Sequence, residues 1–269
     1  MPVNHYENFP VASLLLPARL RRPIEIIYAF ARSADDFADE GEIPDSERLR
    51  LLGEYVAELD RIRAGESPRS PLFQQLSEII ARHALPIELF YDLLDAFGQD
   101  VSKKRYGDFG ELQDYCRRSA NPIGRLLLHL SCAITPLNLA QSDAICSALQ
   151  IINFWQDIEG DYARNRIYLP QDEMAQFGVK EAMIASRTLT PAWSKLMRFQ
   201  CQRARALLDS GRPLTRTMGG RMGLELRFVI AGGAKILDKI DAAKGDVFQH
   251  RPVLTKWDWL TLVPGALAA

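Results

Sequence analysis

Apolar residues recur every three or four positions along most of this chain, and almost no segment alternates as a β-strand would. Pro23 suits a first helical position and Gly41 a helix end, and another helical run begins at Gly124. Gly and Pro separate the runs, without a long polar linker or an internal repeat, so we expect an all-α fold and one domain over residues 1–269. The other helical runs cover residues 46–62, 72–84, 87–97, 111–118, 142–163, 191–210 and 221–240.

The composition suits a protein with a large buried core and no general affinity for polyanions. Of the 269 residues, 47% are apolar and 25% are charged, and the formal net charge is -1. A chain of this length and apolar content can bury a sizeable core. Because the sequence has no zinc-finger spacing, no RNA-binding signature and no long basic run, we expect no nucleic-acid partner.

The cysteines and the chain ends favour a cytoplasmic location. The four cysteines have no CxxC spacing and mostly apolar neighbours, so reduced and partly buried thiols are expected. The N-terminal residues lack the pattern of a signal peptide, and no apolar run is long enough to span a bilayer. The uncharged tail over residues 259–269 either packs on the body of the protein or makes peripheral contact with a membrane surface.

Two aspartates, Asp157 and Asp161, stand one helical turn apart in the apolar stretch NFWQDIEGDYARNRIYLP. Burying an acid without a partner is costly, so this placement needs an explanation. On a helix over 142–163 both acids share a polar stripe with apolar residues on either side, and such a stripe is predicted to face an internal cavity. The stripe consists of Cys146, Gln150, Asn153, Asp157, Asp161 and Arg164.

A second group of acids lies upstream in IIYAFARSADDFADEG. Asp35 and Asp39 are spaced i,i+4, and so are Asp36 and Glu40, although like charges at this spacing repel. A bound divalent cation explains both groups of acids, and hard carboxylate ligands favour Mg²⁺. Either run alone could instead be a solvent-exposed helix face.

Basic residues accompany both groups of acids. Arg32 lies beside the first group, and Arg164 and Arg166 follow the second. Mg²⁺ characteristically binds a few carboxylates together with substrate phosphates. Two such groups on two helices therefore predict the facing walls of one metal–diphosphate site.

Five segments occur in an order that is far more specific than any one of them: NFPVASLLLP, YAFARSADDFAD, RYGDFGELQDYCRRSANPIGR, the stretch around Asp157, and ILDKI followed by Arg251. In these segments, and over nearly its whole length, the chain resembles the squalene and phytoene synthase family. The resemblance implies a class I isoprenoid synthase fold, in which a single-domain helical bundle surrounds a central cavity. The variants NFWQD, SANPIGR and GLELR are most similar to bacterial members that convert presqualene diphosphate and water into hydroxysqualene, on the way to squalene and hopanoids.

The chain departs from the pattern of many condensing members of the family at three positions of the second motif. Gln156 stands where they have an arginine, Gly160 where they have a glutamate, and Asn165 where they have a glycine. These departures favour a reaction with a single ionisation step, that of a preformed diphosphate, over the condensation of two substrates. Two alternatives stay open: a synthase that condenses two prenyl diphosphates to presqualene diphosphate, squalene or phytoene, and a non-catalytic assembly factor, against which both intact motifs argue.

The resemblance also implies cofactors and partners. Mg²⁺ is expected, with Mn²⁺ as a substitute, and the reaction would be that of a carbon–oxygen lyase acting on a diphosphate. No NADPH requirement is expected, since no glycine-rich dinucleotide fingerprint follows a strand. Functional coupling to a presqualene diphosphate synthase and to a hydroxysqualene reductase is expected from the substrate and the product.

Residue roles follow from the same resemblance. The metal ligands are expected to be Asp35, Asp36, Asp39, Asn153, Asp157 and Asp161. The catalytic set consists of the metal-binding Asp35, Asp39, Asp157 and Asp161 with Tyr28, Asn153 and Tyr168. The expected substrate-binding residues are Phe9, Ser13, Arg32, Phe37, Ser119, Asn121, Gly124, Arg125, Phe154, Gln156, Arg164 and Arg166.

Two of these expectations have specific physical grounds. Aromatic faces can stabilise a carbocation without reacting with it, which is the reason for including Phe37, Phe154 and Tyr168. Pro122 is expected to kink a helix and free a backbone carbonyl beside Ser119, where the isoprenoid chain passes and a trapping water could be oriented.

Overall fold

The computed structural model describes residues 16–249 and 251–268 of the chain, and these residues form an assembly of helices. Within the described residues no β-strand forms, and Arg105 and Ile167 make one isolated β-bridge. None of the described helices combines the length and apolarity needed to cross a bilayer. The predicted all-α fold is confirmed.

Seven helices make up the first part of the described chain, from residue 16 to residue 156. They are α1 (Ala18–Asp39), α2 (Asp45–Arg63), α3 (Pro71–His83), α4 (Glu88–Ser102), α5 (Phe109–Ser119), α6 (Asn121–Leu130) and α7 (Pro136–Gln156).

Seven further helices, several of them short, follow within residues 157–249 and 251–268. They are α8 (Ile158–Ala163), α9 (Gln171–Phe177), α10 (Glu181–Ala185), α11 (Pro191–Gly211), α12 (Leu214–Met218), α13 (Gly220–Ala242) and α14 (Lys256–Ala268).

Three long helices begin with the same local signal, a hydroxyl residue followed by proline. The side chains of Ser70, Thr135 and Thr190 accept the backbone N–H three residues later, at 3.1–3.3 Å. Each hydroxyl satisfies a donor that has no partner inside the helix, and a proline in the first turn has no such donor to lose. Replacement of one such cap by alanine typically costs about 1 kcal/mol.

Among the residues described, the apolar side chains form two buried clusters. In the first, which holds α1 to α4 together, Phe30 packs edge-on against Phe73 and Phe90 with ring centroids 5.7 and 5.4 Å apart. The second surrounds α7, α11 and α13, and includes the fully buried Trp155 and Trp193. Helix α6 packs against α1, α4 and α7 and so joins the two clusters.

The structure corrects two predicted helix boundaries and confirms a third. Helix α1 begins at Ala18, so Pro23 lies inside it and the helix loses one hydrogen bond to an earlier carbonyl. The end near Gly41 is confirmed, and Gly41 adopts a left-handed φ of 77°. The expected kink at Pro122 is replaced by a break between two helices, with Pro122 in the first turn of α6, where its ring is best tolerated.

The predicted continuous helix over 142–163 is also wrong. It breaks at Asp157, whose φ of -107° and ψ of 15° separate α7 from α8. Two hydrogen bonds nevertheless cross the break, from Asp157 N to Asn153 O at 3.0 Å and from Asp161 N to Asp157 O at 2.8 Å. Asp157 and Asp161 therefore stay about one turn apart, as the spacing predicted.

Candidate active site

The acids of α1 continue a face of the helix that lines a cavity. Ile24, Tyr28 and Ala31 line it, and Asp35 and Asp39 follow at successive helical turns toward the end of α1. The same periodicity along α7 leads from the cavity-lining residues to Asp157. Both helices thus carry apolar walls first and acids at their C-terminal ends.

Arg32 lies among the acids of α1. Its guanidinium forms ion pairs with Asp35 at 3.3 Å, with Asp36 at 2.6 Å and with Glu40 at 2.8 Å. The repulsion expected between these i,i+4 carboxylates is therefore partly offset within the protein itself. Arg32 therefore supplies a charge partner to Asp36 and Glu40 that the spacing alone did not reveal.

On the second wall, Asp157 forms a bidentate ion pair with Arg251, whose Nη2 donates to Oδ2 at 2.9 Å. Arg251 stands in the segment that leads into α14. Arg251 therefore places a positive charge on this wall, where Gln156 stands in place of the arginine of many condensing members. Planar arginine groups are well suited to such bidentate contacts with carboxylates and with phosphates.

Arg166 joins the two walls. Its side chain is 7% exposed and donates from Nη1 to Asp39 Oδ1 at 2.6 Å. It also donates to two backbone carbonyls, that of Ala38 at 3.4 Å and that of Asp100 at 3.1 Å. The segment after the second motif is therefore fixed to the end of α1, so the two groups of acids meet at one end of the cavity.

Two carboxyl groups at this junction resist ionisation. Burial, together with the nearby Asp39 carboxylate, raises the pKa of Asp35 to about 7, although Arg32 acts against the shift. Burial and repulsion by Asp157 raise the pKa of Asp161 to about 8, with a further contribution from Asp39. Asp39, on the α1 wall, is close enough to contribute to the raised pKa of both groups. Excess negative charge is therefore concentrated where the walls meet.

The acids do not form a closed metal cage. Over the described ranges, no three His, Cys, Asp or Glu side chains converge as ligands of one ion. Mg²⁺ commonly takes only one or two carboxylates and completes its shell with phosphate oxygens and water. The paired carboxylates on two walls fit a cation of this kind.

The cavity between the acids and the core has a volume of about 410 Å³. Helices α1, α6, α7, α12 and α13 form its walls, which are mostly apolar. The central cavity expected of the fold is therefore present. Tyr28 and Gly124, both expected to contribute to the site, line it together with Ser142 and Cys146.

Gly124 lets α6 approach α7 beside this cavity. A Cβ atom at Gly124 would lie 2.3 Å from Ser142 Oγ and 2.6 Å from Cys146 Sγ. We expect Gly124→Ala to lower the free energy of unfolding by about 1–3 kcal/mol through overpacking, measured by urea denaturation. As a matched control, Gly53→Ala on α2 adds a Cβ that meets nothing within 4 Å, and it should be neutral or slightly stabilising.

A triple variant tests the cause of that effect. Combining Gly124→Ala with Ser142→Ala and Cys146→Ala removes the two clashing atoms and should restore part of the lost stability. Full stability of the single variant Gly124→Ala would show that the helices do not approach each other this closely.

Sequence reasoning missed a buried polar group behind the acids. Asp100 on α4 is 5% exposed, and its carboxylate accepts hydrogen bonds from the phenols of Tyr115 and Tyr168. Tyr168 also stacks on Phe154, with ring centroids 3.6 Å apart. Burial raises the pKa of Asp100 to about 6, although Arg166 and both phenols oppose the shift. The sequence signal was an acid within the apolar face of α4, but its partners lie far along the chain.

Several residues expected to bind substrate have protein partners instead. Arg125 donates to both carboxylate oxygens of Asp143, at 2.9 and 2.6 Å. Gln156 is 2% exposed and its Nε2 donates to the carbonyl of Pro252 at 2.6 Å, so it holds the C-terminal segment against α7. Arg164 is largely exposed and lies 3.9 Å from Asp161.

The other residues expected in the site differ in their surroundings. Asn121 Oδ1 accepts from Ser147 Oγ at 2.9 Å, whereas Ser119 Oγ is buried and has no hydrogen-bond partner among the residues described. Asn153 is exposed. Phe37 packs edge-on against Tyr55. Phe9 and Ser13 lie outside the described residues.

Comparisons with known proteins agree with this geometry. A family model described as squalene/phytoene synthase matches residues 3–258. The hydroxysqualene synthase of Rhodopseudomonas palustris is 37% identical over 233 residues, which cover 86% of this chain and 78% of the relative. That of Sinorhizobium fredii is 33% identical over 272 residues, 97% of this chain and 88% of the relative.

A solved structure gives the same result. The crystal structure of the squalene synthase HpnC from Alicyclobacillus acidocaldarius is 37% identical to this chain and matches it with a TM-score of 0.82. The match covers 89% of this chain and 90% of the other. The two acidic walls, the apolar cavity between helices and these likenesses lead to one conclusion: the chain belongs to the squalene/phytoene synthase family.

Proposed function

We propose that the protein is a hydroxysqualene synthase, which ionises presqualene diphosphate, allows the cation to rearrange, and captures it with water to give hydroxysqualene and diphosphate. The observation that carries the proposal is the junction of two acidic walls and their arginines at one end of an apolar cavity of about 410 Å³. A diphosphate fits the charged end, and hydrocarbon chains fit the apolar part. The names of the relatives at 37% and 33% identity support the same activity.

Mg²⁺, or Mn²⁺ in its place, is proposed as the cofactor, held by Asp35, Asp39, Asp157 and Asp161 with Asp36 and Asn153 as further ligands. When bound, the ion would neutralise charge that develops on the leaving diphosphate. The chain itself contributes Arg32, Arg166 and Arg251, which lie against the same acids and can donate to phosphate oxygens. No NADPH is proposed, since the reaction as written transfers no hydride.

A pH dependence follows from the raised pKa values of Asp35 and Asp161, about 7 and about 8. Both lie above the ordinary value of 3.8, so between pH 4 and 8 the folded protein binds more protons at these groups than the unfolded chain. Without divalent cations, these two groups should therefore make stability fall as pH rises through this range. Mg²⁺ should raise the melting temperature more at about pH 8.5 than at about pH 5.5, because it binds the ionised acids.

Thermal unfolding with and without Mg²⁺ at the two pH values measures this dependence. NaCl at equal ionic strength separates specific binding of the divalent cation from general screening of charge. An Mg²⁺ effect that is equal at both pH values, or larger in acid, would show that these carboxyl groups do not bind the ion.

Incubation with two substrates tests the proposed activity. Purified protein with Mg²⁺ and without NADPH should convert presqualene diphosphate to an alcohol, and should leave farnesyl diphosphate unchanged, as judged by mass spectrometry of the extracts. Presqualene diphosphate formed from farnesyl diphosphate would instead identify the condensing alternative. Absence of turnover with any prenyl diphosphate would favour the assembly-factor alternative.

Peripheral contact with a membrane is also proposed, because the substrate and the product carry long hydrocarbon chains. Helix α14 exposes Trp257 (78%), Leu260 (61%) and Val263 (39%). A double variant, Trp257→Ser with Leu260→Ser, should reduce co-sedimentation with phospholipid vesicles several-fold. Equal sedimentation of the variant and the unmodified protein would exclude α14 as the contact. A cytoplasmic location beside a presqualene diphosphate synthase and a hydroxysqualene reductase is proposed on the same chemical grounds.

A further inference from the structure

Asp100 lies beneath the acidic end of the cavity, between two phenols. Each of its carboxylate oxygens accepts one phenol: Oδ1 that of Tyr168 at 2.8 Å, and Oδ2 that of Tyr115. Two more side chains, Arg166 and Lys104, bond to its backbone carbonyl at 3.1 and 2.8 Å and leave the carboxylate to the phenols. Both carboxylate oxygens therefore act as acceptors for the two phenol hydrogen bonds.

Each of these phenols has a single proton to donate. Burial and the Asp100 carboxylate keep the pKa of both tyrosines well above the ordinary range, so the hydroxyl groups stay protonated. With its proton directed at Asp100, the oxygen of Tyr168 can only accept a further hydrogen bond. A water molecule at that oxygen must therefore act as the donor. Both lone pairs of the water oxygen then point away from Tyr168.

A cavity beside Tyr168 has room for such a water. Its volume is about 10 Å³, at the lower limit of roughly 10–15 Å³ that one water molecule needs. Phe154, Asp161 and Arg166 line it, so it adjoins the second acidic wall. Trp155 also lines it, and the buried Nε1 of this residue has no acceptor among the described residues. This small space therefore has polar groups on more than one side.

We propose that Asp100 is a positioning residue for water capture, and that it acts through Tyr168. Because the phenol of Tyr168 donates its hydrogen bond to Asp100, the phenol oxygen is left to accept one. The water beside it then donates a hydrogen bond to Tyr168 and presents a lone pair to the carbocation. The inference rests on the proposed function and assigns the group that orients the water.

Water capture forms one C–O bond and releases one proton. The C–O bond to diphosphate has already broken, with its electron pair on the departing diphosphate. The water oxygen forms a new C–O bond to the cation with one of its lone pairs. One water proton passes to the oxygen of Tyr168 while the phenol proton passes to Asp100, and the carboxyl proton is then lost to solvent. The alcohol carries the oxygen of the water, and no oxidant or reductant is consumed.

Two substitutions that remove different atoms should have the same effect on the products. Tyr168→Phe removes the accepting oxygen but keeps the ring on Phe154, and Asp100→Leu frees the phenol proton so that Tyr168 becomes a donor to water. In each, we expect the share of alcohol among the products of presqualene diphosphate to fall at least about tenfold, in favour of hydrocarbons formed by proton loss. Diphosphate release should fall much less, because ionisation does not require the water.

The double variant identifies the coupling between the two residues. If Asp100 acts through Tyr168, adding Asp100→Leu to Tyr168→Phe should lower the alcohol share no further. Asp100→Asn keeps an oxygen that can accept a phenol but cannot take up the proton released in the capture step, so it should shift the products in the same direction. Its polar side chain of similar shape guards against misfolding of the leucine variant. Asp95→Asn, on the same helix with its side chain 65% exposed, is the matched control and should leave the products unchanged.

The outcomes separate this inference from the proposed function. An unchanged alcohol share in Tyr168→Phe and Asp100→Asn overturns the inference. So does a parallel loss of alcohol, diphosphate release and melting temperature, since that pattern indicates a structural role only. If the unmodified protein releases no alcohol from presqualene diphosphate, the proposed function itself fails.

Discussion

Asp161→Asn is expected to lower turnover at least about 100-fold without weakening the fold, because the carboxylate is needed for the cation and not for packing. Burial and the neighbouring Asp157 disfavour the ionised form of Asp161 and raise its pKa to about 8. A neutral amide of the same shape removes that repulsion. In protein freed of divalent cations, the variant should therefore be at least as stable as the unmodified chain, as measured by urea denaturation beside steady-state diphosphate release.

Asp157→Asn provides a contrast on the same wall. Turnover should fall to a similar extent, but here the substitution also breaks the ion pair with Arg251, so no gain in stability is expected. Asp209→Asn removes an exposed acid on α11 that pairs only locally with Arg212, and should change neither property. Normal turnover in both Asp161→Asn and Asp157→Asn would eliminate the acidic walls as the reaction site.

The second large effect is expected at Arg166. Arg166→Met keeps the length and apolar stem of the side chain but removes the donors to Asp39 and to the carbonyls of Ala38 and Asp100. Breaking a buried ion pair leaves the partner charge uncompensated, and we expect a loss of about 3 kcal/mol in the free energy of unfolding. Turnover should fall as well, because the two walls would no longer be fixed together.

Arg164→Met is the matched comparison, because Arg164 stands two residues earlier with its side chain 52% exposed, 3.9 Å from Asp161. Exposed ion pairs contribute little, so its effect on stability should stay below about 1 kcal/mol. Equal losses for the two methionine variants would mean that Arg166 is not the junction of the walls.

The sequence predicted those parts of the fold and site that depend on local periodicity. The spacing of apolar residues located the long helices, and the i,i+4 spacing placed Asp35 with Asp39 and Asp157 with Asp161 on common faces. These predictions succeed because a helix fixes which residues share a face, whatever its neighbours are. The family resemblance then supplied the arrangement of the two faces around a cavity, which periodicity alone does not give.

Features that depend on distant partners could not be read in the same way. Asp100 is recognisable as a site residue only when Tyr115 and Tyr168 are brought to it from other helices and loops. Arg125 was expected to bind substrate, but Asp143 on the neighbouring α7 is close enough to pair with it.

Backbone detail was lost for a related reason. The break at Asp157 does not disturb the spacing of polar and apolar residues, because hydrogen bonds of helical spacing continue across it. The short helices α9, α10 and α12 span too few residues to show a period.

The origin of the product oxygen distinguishes capture of a carbocation by water from hydrolysis of the diphosphate. The protein, saturated with Mg²⁺, would be given presqualene diphosphate in water enriched in oxygen-18, and the mass of the product alcohol would be measured. We expect the alcohol to carry the heavy oxygen, because water captures a carbocation after the C–O bond to diphosphate has broken. An alcohol that retains the original oxygen would show that the P–O bond is cleaved instead, and would contradict ionisation at the acidic walls.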